Sequence, residues 1–200
     1  RSGVLPEADF YCPIPYEPLS VLTESVAESE IAKGPDGLLD RIFALMVKEL
    51  ELADPRWCQA IAIGTLNADT LRDVWFEDRK KHGPFTWAEA NLKEVERNKC
   101  EKRTVAWRYT VLRLHEVVQA IVPSLNERDR ERFKSGLERV FIDNYAAIPP
   151  QSIRRLLALR EAGNISVVAL GDDYDLDIGS DQTVITTKEK RYRFDVFIDA

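Results

Sequence analysis

Sulfur and imidazole are scarce in this 200-residue chain, which has three cysteines, two histidines and one methionine. Cys12, Cys58 and Cys100 are odd in number and widely spaced. That excludes a fully paired disulfide framework and gives no zinc-ligand spacing; free thiols in a reducing cytoplasm are expected. No apolar run approaches the roughly 20 residues that span a bilayer, so no membrane partner is expected. The net charge of −6 and pI near 5.1 argue against non-specific nucleic-acid binding. The nine glycines never fall into G-x-G-x-x-G or G-x-x-x-x-G-K-[ST], and no Ser, His and Asp context resembles a nucleophile elbow. No catalytic centre is legible in the chain's own residues, and no metal is expected. The opening "RSGVLPEADF" has no signal-peptide apolar region and no initiator Met, which suggests an internal segment.

What is present suits a globular protein with a sizeable core: 44% hydrophobic and 31% charged residues in 22.9 kDa. Three regions are expected. Residues 1–22 form an extended lead-in, since Pro13, Pro15 and Pro18 exclude a helix. Phe10, Tyr11 and Tyr16 are expected to pin it down.

Residues 23–163 read as helical. Thr23 caps one helix that Gly34 ends. Leu38, Leu39, Ile42, Phe43, Met46 and Leu50 form one stripe of the next, which stops before Pro55. "RWCQAIAI" reads as an apolar turn, and "NADTLRDVWFEDRKKHGP" as a short helix. Thr86 and Glu89 read as a capping box that opens a helix running on through "VAWRYTVLRLHEVVQAI". Its later stripe is Trp107, Val111, Leu114 and Val118. "NERDRERFKSGLERVFIDNYAAIPP" reads as one helix with Asn126 and Asp129 at its start. Pro150 and Gly163 bracket the last helix. About six or seven helices are expected in all.

Beyond Gly163 the period becomes two over residues 164–200. "ISVVAL" reads as a buried strand, "DYDLDI" and "QTVITTK" as short antiparallel strands, and "YRFDVFI" as a second buried strand. The fold class expected is therefore mainly α, with a small C-terminal antiparallel β element.

Four constellations bear on chemistry. "GDDYDLDIGSD" fails the calcium-loop pattern, because the positions for Gly and the chelating Glu hold Ile178 and Val184. It reads as a strand with Asp175 and Asp177 in water and Tyr174, Leu176 and Ile178 facing inward. The basic run Arg97, Lys99, Lys102, Arg103, Arg108 and Arg113 reads as a solvated helix face before it reads as an anion site. His115 reads as a partly buried histidine and not a general base. The polar knot Asp143, Asn144 and Tyr145, followed by Arg154 and Arg155 at a helix start, reads first as a helix junction whose side chains satisfy backbone groups, and after that as a candidate substrate or anion site.

"RSGVLPEADFYCPIPYEPL", "WAEANLKEVERNKCEKRTVAWRYTVLRLHE", "RVFIDNYAAIPPQSIRRLLALREAG" and "FDVFIDA" together resemble the middle of bacterial FAD-NAD(P)-binding flavoproteins of the YdhS type. The resemblance runs over essentially the whole chain. It implies a longer parent with a Rossmann-like part, a helical insertion, and a return to the nucleotide-binding fold through residues 164–200. It implies FAD and NAD(P) in that parent and none in this segment. By analogy it places Arg1, Ser2, Gly3, Asp199 and Ala200 near cofactor at strand ends. It implies an FAD-dependent, NAD(P)H-linked oxidoreductase of unknown substrate, the helical part covering or shaping the substrate site and partnered by the rest of the parent. The alternative is a non-catalytic helical module for protein interaction or dimerisation, with a homodimer as the partner state.

Overall fold

In the computed structural model the described residues are 4–12, 17–171 and 173–198. Among them are nine α-helices and a three-stranded antiparallel sheet. Residues 4–12 run as an extended ribbon. Ala8 pairs in parallel with Ile148: the Asp9 N–H donates to the Ile148 carbonyl at 2.8 Å, and the Ile148 N–H donates to that of Glu7 at 2.9 Å. Phe10 is buried and Tyr11 half-buried, as an anchored ribbon requires; Tyr16 lies outside the described residues.

Helix α1 (Glu24–Ala32) is capped by the Thr23 hydroxyl, which accepts from the Val26 N–H at 3.3 Å, and Gly34 follows with φ +95°. Helix α2 (Leu38–Ala53) buries all six residues of its stripe, each worth about 1.5–3 kcal/mol when fully buried. It also buries Glu49, whose carboxylate accepts from the N–H groups of Ser20, Val21 and Leu22 at 2.9, 2.6 and 3.1 Å. Those otherwise orphaned donors hold the lead-in where it joins α1.

"RWCQAIAI" is not merely a turn. Pro55 occupies the first position of α3 (Pro55–Ala60), where its missing N–H costs nothing, and Asp54 caps it. Helix α4 (Leu71–Lys81) follows, then α5 (Pro84–Cys100). The capping box does not form: Pro84 starts α5 two residues ahead of Thr86, and Gly83 makes no side-chain cap. Nor does α5 run on. It ends at Asn98–Arg103, where Lys102 takes φ +52° and the Arg103 guanidinium donates to the Asn98 Oδ1. Helix α6 (Ala106–Ile121) restarts beyond it and buries Val111, Leu114 and Val118, with Trp107 half-buried.

The next helix is two. Helix α7 (Glu127–Ser135) begins at Asn126, whose side chain accepts from the Asp129 N–H at 2.8 Å. Asp129 does not reciprocate; it binds Arg132 at 2.9 Å. Gly136, with non-helical φ −111° and ψ −94°, separates it from α8 (Leu137–Tyr145), and the position excludes a side chain because a Cβ there would lie 2.4 Å from the Ala68 carbonyl oxygen. Helix α9 (Pro150–Glu161) has Pro150 at its start and Gly163 at φ +75° beyond its end, as expected.

Two cores result. The larger is formed by α1, α2, α6, α7 and α8 with the Cys58–Leu71 stretch. The smaller packs Leu5, Ala8 and Phe10 of the ribbon against α5 and Ile153 of α9.

The C-terminal sheet has the order β1 (Tyr174–Ile178), β2 (Thr183–Thr187), β3 (Arg191–Phe194). Three expectations fail here. "ISVVAL" forms no strand and Val168 is exposed. Leu176 and Ile178 are exposed beside Asp175 and Asp177, while Tyr174 is half-buried and Ile185, opposite Leu176, is buried, so the face expected to point inward is covered only in part. The last strand ends at Phe194, leaving Val196 77% and Ile198 82% exposed. A strand without neighbours on either side loses the ladder and the cover that such apolar runs need.

Candidate functional site

Helices α4 and α8 lie side by side, and each presents a row of residues to one groove. On α4 the row is Arg72, Phe76 and Lys80, spaced by four, so all three share a face. On α8 it is Arg139, Ile142, Asp143 and Ala146. Val4, Leu5 and Pro6 of the ribbon close one side, with Ala169 and Gly171, and the groove holds about 950 Å³.

Beneath this groove lies a buried ionic cluster. Arg79 donates to both oxygens of Asp143 at 2.5 Å and to Glu7 at 2.5 Å. The Trp75 indole N–H donates to Asp143 at 2.8 Å. Arg108 meets the other Glu7 oxygen at 2.7 Å. The Arg79 guanidinium lies 4.4 Å from the Trp87 ring centroid, and Arg108 4.9 Å from that of Trp107. Trp57, Trp75 and Trp107 pack as a stacked pair with an edge-on third ring. Such rings exclude water and supply cation–π contact to the two arginines.

Burial pushes the Glu7 carboxyl above its ordinary range, against the pull of Arg108 and then Arg79. Burial also works to lower Arg79, but hydrogen bonds to Asp143 and the charge of Glu7 outweigh it and hold the guanidinium above its usual value. Arg79 is therefore a fixed charge of the cluster. Asp143 has both oxygens committed to Arg79 and Trp75. It serves as a structural acceptor, taking three hydrogen bonds from these two side chains.

The polar knot is thus split by the structure. Asp143 joins the ionic cluster and lines the groove. Asn144 is buried and donates to the Arg108 carbonyl at 3.1 Å, which is the helix-junction role. Tyr145 is exposed and packs against His115 with ring centroids 4.6 Å apart and planes tilted by 40°. Arg154 is not brought to these residues; it pairs with Glu96 of α5 at 2.5 Å. Arg1, Ser2, Gly3, Asp199 and Ala200 lie outside the described residues. The basic run is not a uniformly solvated face, because Arg108 and Arg113 are interior. Arg113 donates to the carbonyls of Glu17 and Pro18 at 2.6 and 3.0 Å. His115 is half-buried, and burial holds its imidazole below the ordinary value despite Glu116.

Sequence reasoning missed Glu7, Arg79 and the groove row on α4. A signal existed: Leu71, Trp75 and Arg79 fall four apart on the inward side of α4, and Arg108 sits three before Val111 on the stripe of α6. A charged residue on an apolar stripe is buried only when paired.

Among the described residues there is no group of three or more His, Cys, Asp or Glu side chains placed to hold a metal, and no helix is long and apolar enough to cross a membrane. A family described as the YdhS-like middle domain matches residues 23–145. The chain is 62% identical over all its 200 residues to "Uncharacterized protein YdhS" of Escherichia coli (strain K12), and spans 38% of that protein's length. No solved structure matches. The family match takes in the interval from the α1 cap to the end of α8, and with it both helices of the groove: the chain belongs to the YdhS-like middle domain family.

Proposed function

We propose that this chain is the helical, substrate-side part of an FAD-dependent, NAD(P)H-linked oxidoreductase. The observation that carries the reading is the make-up of the groove. Val4, Leu5 and Pro6 line it, and so do Ala169 and Gly171. The resemblance to YdhS-type flavoproteins assigns those two stretches to the passages between the helical part and a nucleotide-binding fold. A groove at that junction is where substrate and cofactor would meet.

The chain's own residues do not make a flavin site. They contain no glycine-rich fingerprint, and the cations of the groove are the side chains of Arg72, Lys80 and Arg139. FAD would therefore be held by the rest of the longer protein, where it would supply the hydride chemistry. The helical part would orient the substrate and keep water from it. Its rigidity would come from the Glu7–Arg79–Asp143 cluster, which ties the ribbon to α4 and α8 beneath the groove. The exposed Val196 and Ile198 fit the same reading, as residues that would be covered by the remainder of the protein.

A second reading rests on the uncovered apolar side chains Leu176, Ile178 and Phe194 of the sheet: a non-catalytic module that pairs with another protein or with its own copy. The visible spectrum of the purified full-length protein, followed by NADH and NADPH oxidation assays, separates the two. Bound flavin and pyridine-nucleotide consumption are expected. A colourless protein that takes up no added FAD retires the oxidoreductase reading.

A further inference from the structure

We propose that the α4–α8 groove is an oxyanion site, with Arg139 and Lys80 as its binding cations and an elongated organic phosphate or carboxylate as its ligand. The inference rests on the oxidoreductase reading only for what the site serves; the binding itself requires no flavin.

The charges decide it. The chain as a whole is acidic, at −6, yet three of the groove's residues are cations and one is an anion. The anion, Asp143, is already answered by Arg79. Arg72 is answered by Asp73 at 3.0 Å and donates to the Ser135 carbonyl at 2.7 Å. Lys80 and Arg139 make no ion pair among the described residues. Two uncompensated positive charges therefore face one concave surface.

Placement narrows the ligand. Arg72 and Lys80 are eight residues apart on α4, about 12 Å along its axis. Arg139 lies on α8, four residues after Ser135 at the end of α7, which Arg72 touches, and four before Asp143, which Arg79 holds. The cations are thus spread along the groove and not gathered at one point, which suits an extended molecule better than a small inorganic ion. Between them lie Phe76, Ile142, Val4 and Leu5, an apolar bed for the body of the ligand. The planar guanidinium fork of Arg139 matches a carboxylate or phosphate edge, while Lys80 serves as a point charge. The same oxyanion chemistry could belong to the phosphates of a pyridine nucleotide or to an acidic substrate.

The test is calorimetric titration of the full-length protein at low salt with four probes: inorganic pyrophosphate, benzoate, NADPH and NADH. The variants are the double substitution Lys80→Ala/Arg139→Ala and the control Lys93→Ala, whose lysine pairs with Glu89 on the exposed side of α5. We expect pyrophosphate or benzoate to bind with an affinity that falls as salt rises. The double variant is expected to weaken that binding at least tenfold and the control to leave it unchanged. An effect on NADPH and NADH identifies a nucleotide phosphate as the source; an effect on benzoate alone identifies a substrate carboxylate. Wild type that binds none of the probes, or a double variant that binds them all as wild type does, overturns the proposal. Both residues are exposed, so the fold is expected to survive, with circular dichroism as the check; Arg139→Lys, which keeps the charge and loses the fork, should weaken benzoate more than pyrophosphate. A colourless protein that still shows the variant-sensitive binding removes the oxidoreductase reading and leaves the site. A flavin-bearing protein whose anion affinities ignore the variants removes the site alone.

Discussion

Glu7 and Arg79 are 72 residues apart in sequence, and their side chains meet at 2.5 Å, each only 4% exposed. The pair joins the ribbon to α4, and through Asp143 to α8. Its charges are shielded from water by Trp75 and Trp87.

Arg79→Met should be among the most damaging single changes in the chain. It leaves Asp143 without its buried cation and Glu7 with Arg108 alone. Removing one partner of a buried ion pair costs about 3–5 kcal/mol. Urea unfolding of the variant and wild type measures this; a loss under about 1 kcal/mol, typical of exposed pairs, would show that water reaches the cluster.

Gly136→Ala should destabilise for a steric reason. The backbone there, at φ −111° and ψ −94°, lies outside the regular helical and extended regions. The obstacle is the Ala68 carbonyl oxygen 2.4 Å from the new Cβ. Overpacking of this kind costs about 1–3 kcal/mol. The unfolding midpoint should fall, whereas Gly64→Ala, where nothing lies within 4 Å, should leave it nearly unchanged.

The three thiols should separate cleanly. Cys100 is exposed, and Cys58 is buried with its thiol pushed up to about 11 by burial, then by Glu51 and Asp54. Since the thiolate is the reactive form, Cys100 should alkylate first and Cys58 only on unfolding. Timed iodoacetamide labelling with peptide mass spectrometry reads the order, and early labelling of Cys58 would contradict the packing of α3.

His115 should make stability fall in mild acid. Burial places its folded value below the unfolded one. Its contribution is therefore complete above the unfolded value, near 6.5, and is lost as pH falls through the folded value. His115→Gln should flatten the stability profile between pH 7 and 5. If the two profiles stay parallel across that window, the imidazole is not shielded by Phe141 and Tyr145.

The end of the sheet should report on the rest of the longer protein. Val196 and Ile198 are open to solvent and carry no strand pairing. Hydrogen exchange at residues 195–198 should be rapid in the isolated chain and slower in the full-length protein. Equal protection in both would mean that these residues need no further cover.

Local rules account for much of the helical part, because the groups involved are neighbours along the chain. Thr23 and Asn126 cap from within three residues, Pro150 starts its helix, and the stripe of α2 is set by a period of 3.6. The sequence determined as much about the candidate site as local contacts could carry: it marked Asp143 and Asn144 as a polar knot, and no further. What tertiary structure alone decided is which charges lose their water. Nothing near Arg79 in sequence shows that Glu7 and Asp143 converge on it, and nothing near Gly136 shows the Ala68 carbonyl that forbids a side chain there. The same holds for the groove. Lys80 and Arg139 belong to charged stretches of two helices, and they become one positive surface only because those helices pack side by side while the nearby carboxylates are taken by other arginines. Desolvation and long-range pairing depend on the whole fold, and a period or a cap depends only on the next turn of backbone.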